Sequence, residues 1–231
     1  VTIKNPKIAT TALDGIDNDK NVVTDSETVI VDTVEYHNLV PGKEYTLKGS
    51  MQVKGEKDGK PVATPLEVGG KAVTAETTFT PEAAHGTVNV TFAFDASDLK
   101  AKDKVVAFES LSLNGKELAS HADIEDKSQT VTITKPTLST TAVDGLDADK
   151  NLIGEGDVTI VDTVKYKNVT PGKTYKVTGT LYEKVTDKDG KVTKKQLLDA
   201  DGNPVTAETE FVPDDTYGTV DVTFTFDASD L

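Results

Sequence analysis

The sequence predicts an all-β protein of two tandem, antiparallel β-sandwiches of immunoglobulin-like type. Three observations predict it. The apolar pattern has a period of two, carried by short runs rich in Val, Thr, Ile, Tyr and Phe. Turn signals punctuate those runs: Pro41-Gly42, Asp58-Gly59, Asn114-Gly115, Pro171-Gly172, Asp189-Gly190 and Asp201-Gly202. The same long text also occurs twice. VIVDTVEYHNLVPGKEYTLKG (Val29–Gly49) returns as TIVDTVKYKNVTPGKTYKVTG (Thr159–Gly179), and TFAFDASDL (Thr91–Leu99) returns as TFTFDASDL (Thr223–Leu231). A repeat of this length indicates tandem domains rather than a solenoid, whose periods are roughly 20–50 residues.

The elements follow in order. The first strand is IATTAL (Ile8–Leu13), repeated as LSTTAV (Leu138–Val143). Here Ile8, Thr10 and Ala12 share a face, as do Leu138, Thr140 and Ala142. The second strand alternates Ile30, Asp32, Val34 and Tyr36 against Val29, Val31, Thr33, Glu35 and His37. Its copy identifies the inner face. Ile160, Asp162, Val164 and Tyr166 keep the first pattern, whereas Lys165 and Lys167 appear in the second. Next come the runs ending at Gly49 and Pro81, then TVNVTFAF (Thr87–Phe94). In VVAFESL (Val105–Leu111), Glu109 falls with Val105, Ala107 and Leu111. In the final run Gln129, Val131 and Ile133 share a face. No segment has the period of a long helix, although Pro81–His85 and Ala96–Leu99 each suit one helical turn.

The repeat divides the chain into residues 1–134, a complete sandwich, and 135–231, a second that stops before the counterparts of Lys100–Thr134. Residues 1–5 (VTIKN) resemble Val131–Lys135 (VTITK), as if they were the tail of a preceding repeat. The chain therefore reads as a piece of a longer array, with adjacent sandwiches stacked end to end across the short Lys135-Pro136 junction. The second repeat, missing its last strands, is expected to leave an edge open to a supplied strand.

Composition narrows the function. The formal net charge of the 231 residues is −14 and every basic side chain is Lys. Recognition of phosphate and bases leans on Arg and basic patches, so nucleic acid is not an expected partner. No apolar run approaches the ~18 residues of a membrane span, and no membrane contact is expected of this segment. Cys is absent, which removes thiol catalysis, disulfides and Cys-based metal sites. No cofactor is implied. Asp14, Asp17 and Asp19, repeated as Asp144, Asp147 and Asp149, lack the Gly and terminal Glu of a calcium loop and are better explained by Asx turns. His37 lies on an outer face and His85 becomes Tyr217 in the copy, so both read as surface residues.

Alternation thus directs several polar groups into one interior: Thr10, Asp32, Glu109 and Gln129, with His121 eight positions before Gln129. A buried acid is costly unless paired or neutralised. A threonine becomes a nucleophile when a base takes its proton, and a histidine oriented by a carboxylate is suited to that task. A carboxamide becomes an electrophile when a protonated acid polarises its oxygen, and burial favours the protonated acid. Attack of Thr10 on Gln129 would expel ammonia and leave an ester shielded from water.

The strings IATTALDG, TVIVDTVEYHNLVPGKEYTLKG, TFAFDASDL, VVAFES and HADIEDKSQTV together resemble the Thr–Gln ester-bond (VaFE-type) repeat domains of Gram-positive surface adhesins. The resemblance implies a first-strand Thr joined to a last-strand Gln, with His and acids assisting. On this chain it implies Thr10 as nucleophile, Gln129 as acceptor, His121 as base or proton shuttle, and Asp32 and Glu109 as supporting acids. Thr11 is the rival nucleophile. The second repeat retains Thr140 and Asp162 but has no counterpart of Glu109, His121 or Gln129.

The resemblance further implies a structural stalk module on the cell wall of a Gram-positive bacterium. Its partners would be neighbouring repeats of the same polypeptide, and any host ligand would be met by other domains. The crosslinking is a single self-reaction, so no turnover enzyme is expected. Two alternatives stand beside this reading. One is a ligand-binding adhesin module without a crosslink. The other is an isopeptide-bonded, pilin-like sandwich, which calls for an inward Lys where the first strand has Thr10.

Overall fold

A computed structural model describes residues 4–154 and 156–229. The segment 1–5, compared above with the tail of a repeat, therefore lies largely outside the described residues. The chain divides into two compact units between Lys135 and Pro136. The described residues form strands and turns without a helix; Pro81–His85 and Ala96–Leu99 are bends, turns and strand ends.

The first unit contains β1 (Lys7–Asp14), β2 (Asn21–Val23), β3 (Thr28–His37), β4 (Tyr45–Lys57), β5 (Lys60–Pro65), β6 (Glu67–Val68), β7 (Lys71–Ala72), β8 (Thr74–Phe79), β9 (His85–Phe94), β10 (Lys104–Leu113), β11 (Lys116–His121) and β12 (Thr130–Thr134). One sheet has the order β1-β3-β9. The other runs β2-β12-β10-β4-β5, with β11 also on β10 and β8 also on β4. The hairpins β4–β5 and β10–β11 turn at Asp58-Gly59 and Asn114-Gly115. All four residues have positive φ, the twist-matched two-residue turn that Asp-Gly and Asn-Gly favour.

The sandwich is antiparallel except at one pair. The chain changes sheets between β1 and β2, and β2 then runs parallel to β12, with Asn21 opposite Thr132. The crossover brings first and last strands together at a sandwich edge while keeping them in different sheets. One backbone bond joins them there: the Ala12 N–H donates to the Ser128 carbonyl at 3.0 Å.

Between the sheets lies a core that includes Ile30, Val34, Leu47, Met51, Phe92, Val105, Leu111 and Ile133. Tyr36 and Tyr45 both pack on Phe79, with ring centroids 5.2 Å and 5.9 Å away. At ~25 cal/mol per Å² of apolar surface removed from water, this burial is the main stabilising term.

The second unit contains β13 (Thr137–Asp144), β14 (Asp157–Lys167), β15 (Tyr175–Thr180), β16 (Tyr182–Thr186), β17 (Val192–Gln196), β18 (Thr206–Phe211) and β19 (Tyr217–Asp227). Its main sheet, β13-β14-β19, repeats the β1-β3-β9 arrangement and register: Thr140 faces Val164 as Thr10 faces Val34. The aromatic cluster also returns, with Tyr166 and Tyr175 on Phe211. The core is smaller and centres on Val164, Val222, Phe224 and Phe226.

Candidate functional site

The two sheets of the first unit each supply part of a polar cluster in an otherwise apolar interior. On the first sheet, β1 alternates strictly and turns Thr10 and Ala12 inward. Thr11 is exposed on the outer face, opposite Thr33. Ala12 lies opposite Asp32 on β3, which places Asp32 one diagonal step from Thr10 on the same face. On the second sheet, Glu109 lies opposite both Gly49 of β4 and His121 at the end of β11. Gln129 immediately precedes β12, and its carbonyl accepts a 3.0 Å bond from the Ala107 N–H.

Burial is nearly complete: Thr10 is 3% exposed, Glu109 2%, and Asp32 and Gln129 0%. The Thr10 hydroxyl faces His121 Nδ1 at 3.4 Å. The other ring nitrogen, Nε2, lies 3.0 Å from Asp126 Oδ2. Asp126 is fixed in turn, because its Oδ1 accepts both the N–H and the hydroxyl of Ser128, at 2.7 and 2.6 Å. Those Ser128 bonds, followed by the charge of His121, hold the Asp126 carboxyl below its ordinary range. A carboxylate accepting the Nε2 proton leaves Nδ1 as the acceptor facing threonine. The chain Thr10–His121–Asp126 thus has the geometry that a nucleophile, base and orienting acid require.

The electrophilic side is equally defined. Gln129 Nε2 donates to the His121 carbonyl at 3.0 Å, which orients the carboxamide. Its Oε1 is buried without a hydrogen bond, while the Asp32 carboxyl lies within hydrogen-bonding reach of Thr10 and Glu109. A buried carboxamide oxygen without a partner is rare in a folded interior and calls for an explanation. Burial pushes the Glu109 carboxyl up to about 9, with the neighbouring Asp32 charge adding to the rise. Burial also raises Asp32, to about 6; Thr10, Glu109, His121 and Lys20 pull it back. Burial beside a second acid thus favours the protonated form of Glu109, and an acid pair that shares a proton can donate it to a carboxamide oxygen.

Three nearby residues carried no signal in the sequence pattern. Asp126 and Lys20 lie in loops, where period two does not apply. Gly49 lies in a strand, but its significance depends on register. A Cβ at position 49 would come within 2.5 Å of both Glu109 Oε1 and Phe92 Cζ, so glycine leaves room for the acid and the ring together.

In the second unit Thr140 is exposed and Asp162 only half-buried, although their strands keep the first unit's register. Asp162 Oδ1 is nonetheless a buried oxygen without a partner. Among the described residues, no segment of the second unit corresponds to β10–β12. Asp144, Asp147 and Asp149 place carboxylate oxygens within 4.8 Å of one another. These acids accept backbone N–H groups two residues ahead, as Asx turns do. His37 and His85 are exposed.

Two segments, 6–133 and 136–231, match the family model of the T-Q ester bond containing domain. No curated protein matches the chain. Among solved structures, an adhesin from Mobiluncus mulieris, described as containing intramolecular disulfide, isopeptide and ester bond cross-links, aligns at 16% identity and TM-score 0.45. The alignment covers 83% of this chain and 93% of that one. A second crystal form gives 15% identity and TM-score 0.45, covering 91% and 100%. The sporulation control protein Spo0M of Bacillus subtilis aligns at 13% identity and TM-score 0.31, over 96% and 91%. At these scores the structural likenesses add nothing to the family match. That match takes in both units and nearly every residue, and the chain belongs to the family of T-Q ester bond containing domains.

Proposed function

We propose that the first unit closes an intramolecular ester between Thr10 and Gln129, and that the chain serves as a structural stalk module of a bacterial surface adhesin. The observation that carries the chemistry is the burial of a threonine, a carboxamide and two acids in one interior. Gln129 Oε1 is left without a hydrogen bond beside the Asp32–Glu109 pair, while Thr10 faces a histidine already oriented by Asp126.

The reaction follows from those positions. His121 Nδ1 takes the Thr10 proton as Oγ1 attacks the Gln129 side-chain carbonyl carbon. The protonated member of the Asp32–Glu109 pair donates to Oε1 and stabilises the tetrahedral intermediate. The C–N bond then breaks, His121 returns its proton to the leaving nitrogen, and ammonia departs. The product is an ester from Thr10 Oγ1 to the former carboxamide carbon. Each chain reacts once. Exclusion of water protects the product from hydrolysis.

The stalk reading rests on mechanics. An ester between β1 and the lead-in to β12 ties the two ends of a domain, so tension passes through covalent bonds instead of peeling an edge strand. The isopeptide alternative is disfavoured because the inward face of β1 carries Thr10 and not Lys. Cell-wall anchoring and the host ligand, if engaged by other domains, belong to the same proposal.

A protease digest tests the chemistry. The expected product is a branched peptide joining the Thr10 and Gln129 segments, split by hydroxylamine. Only linear peptides, or a branch that survives hydroxylamine, would refute it.

A further inference from the structure

Lys20 belongs to none of the reacting groups, yet it touches both strands that the reaction would join. It lies at the end of the crossover between β1 and β2 and is half-buried. Its ammonium donates to the Ala12 carbonyl at 2.5 Å and to the Ser128 carbonyl at 2.6 Å. Ala12 is two residues from Thr10 on β1, and Ser128 directly precedes Gln129. The Ser128 carbonyl also accepts the Ala12 N–H, and the Lys20 carbonyl accepts the Thr132 N–H from β12 at 2.8 Å. Lys20 is thus bonded through its side chain and its backbone to the last-strand segment, and through its side chain to the first strand.

We infer that Lys20 is a positioning residue for the crosslink: its ammonium clamps β1 to the segment carrying Gln129 and holds Thr10 and the carboxamide in register. The inference rests on the ester reading above.

The second unit repeats half of this contact. Lys150, at the matching position, donates to the Ala142 carbonyl, with no counterpart of Ser128 among the described residues. The loop therefore sets the ammonium on the first strand by itself, leaving remaining donors for an arriving carbonyl. A merely solvated lysine would extend outward instead of bonding two main-chain carbonyls. Both bonds are charge-assisted, the stronger class of hydrogen bond. Placement matters because a misfit of about 1 Å can slow a positioned reaction by about 100-fold.

The test follows ammonia loss by intact mass after cell-free synthesis of the full chain, as wild type, Lys20→Met and Lys20→Arg. Met keeps the stem and drops the charge, while Arg restores a cation with several donors. Lys20→Met is expected to react roughly 10- to 100-fold more slowly, and Lys20→Arg to recover most of the rate. In a Thr10→Ala background, Lys20→Met should remain folded at the assay temperature. A Met variant as fast as wild type, an Arg variant as slow as Met, or an unfolded double variant would each overturn the positioning role. If wild type retains its full mass, the ester reading itself fails and this inference falls with it.

Discussion

Thr10 and His121 meet at 3.4 Å, a separation at which a proton can pass when the pair tightens. Asp126, by holding Nε2, would leave Nδ1 to receive that proton. Asp126→Asn removes the charge that stabilises the imidazolium and frees the ring to change tautomer. Crosslinking, followed by intact mass over time, should slow by about 100-fold or more. The acid pair makes a separate prediction for stability. Asp32 and Glu109 rise from ordinary values of 3.8 and 4.5 to about 6 and about 9 on folding. Between those limits the folded state binds more protons than the unfolded state, so stability falls as pH rises. The uncrosslinked Thr10→Ala protein should melt at a higher temperature near pH ~5 than near pH ~9. Adding Glu109→Gln should flatten most of that slope. A midpoint that rises with pH would contradict the burial of these acids.

At the scale of the strand, regular alternation made much of the site legible. Thr10, Asp32 and Glu109 lie on faces whose other members are apolar, and a strand offers a side chain only two directions. The Asp-Gly and Asn-Gly turns announced two hairpins by the same local logic. Pairing partners were hidden, because register depends on contacts between distant segments. That is why the crossover from β1 to a β2 parallel with β12, and the demand for glycine opposite Glu109, emerge only in three dimensions. Asp126 and Lys20 were hidden for a related reason: a loop side chain has no periodicity to aim it. Gly49→Ala tests the pairing. It should destabilise the Thr10→Ala first unit by about 1–3 kcal/mol through overpacking and slow crosslinking in the wild-type background. Gly179→Ala, whose Cβ would meet Phe224 but no acid, should leave the crosslinking rate unchanged. Equal effects of the two substitutions on that rate would refute a role for Gly49 in seating Glu109.

On the scale of the whole molecule, one β-sandwich pattern occurs twice with different consequences. Both units preserve the three-stranded sheet and its register, and among the described residues the first has strands that cover its threonine and acid. The proposed chemistry needs that cover as well as the repeated text. A tie between positions 10 and 129 would restrict the unfolded chain much as a disulfide closing a loop of about 100 residues does, a stabilisation of about 4–5 kcal/mol. Thr10→Ala should lower the denaturant midpoint of the first unit accordingly and leave the second unit's transition in place. The measurement that tests the account most directly is the intact mass of the purified chain beside its Thr10→Ala variant. The account predicts a wild-type chain lighter than its sequence by one ammonia and a variant at full sequence mass. A wild-type chain at full mass, or a variant that still loses ammonia, would contradict it.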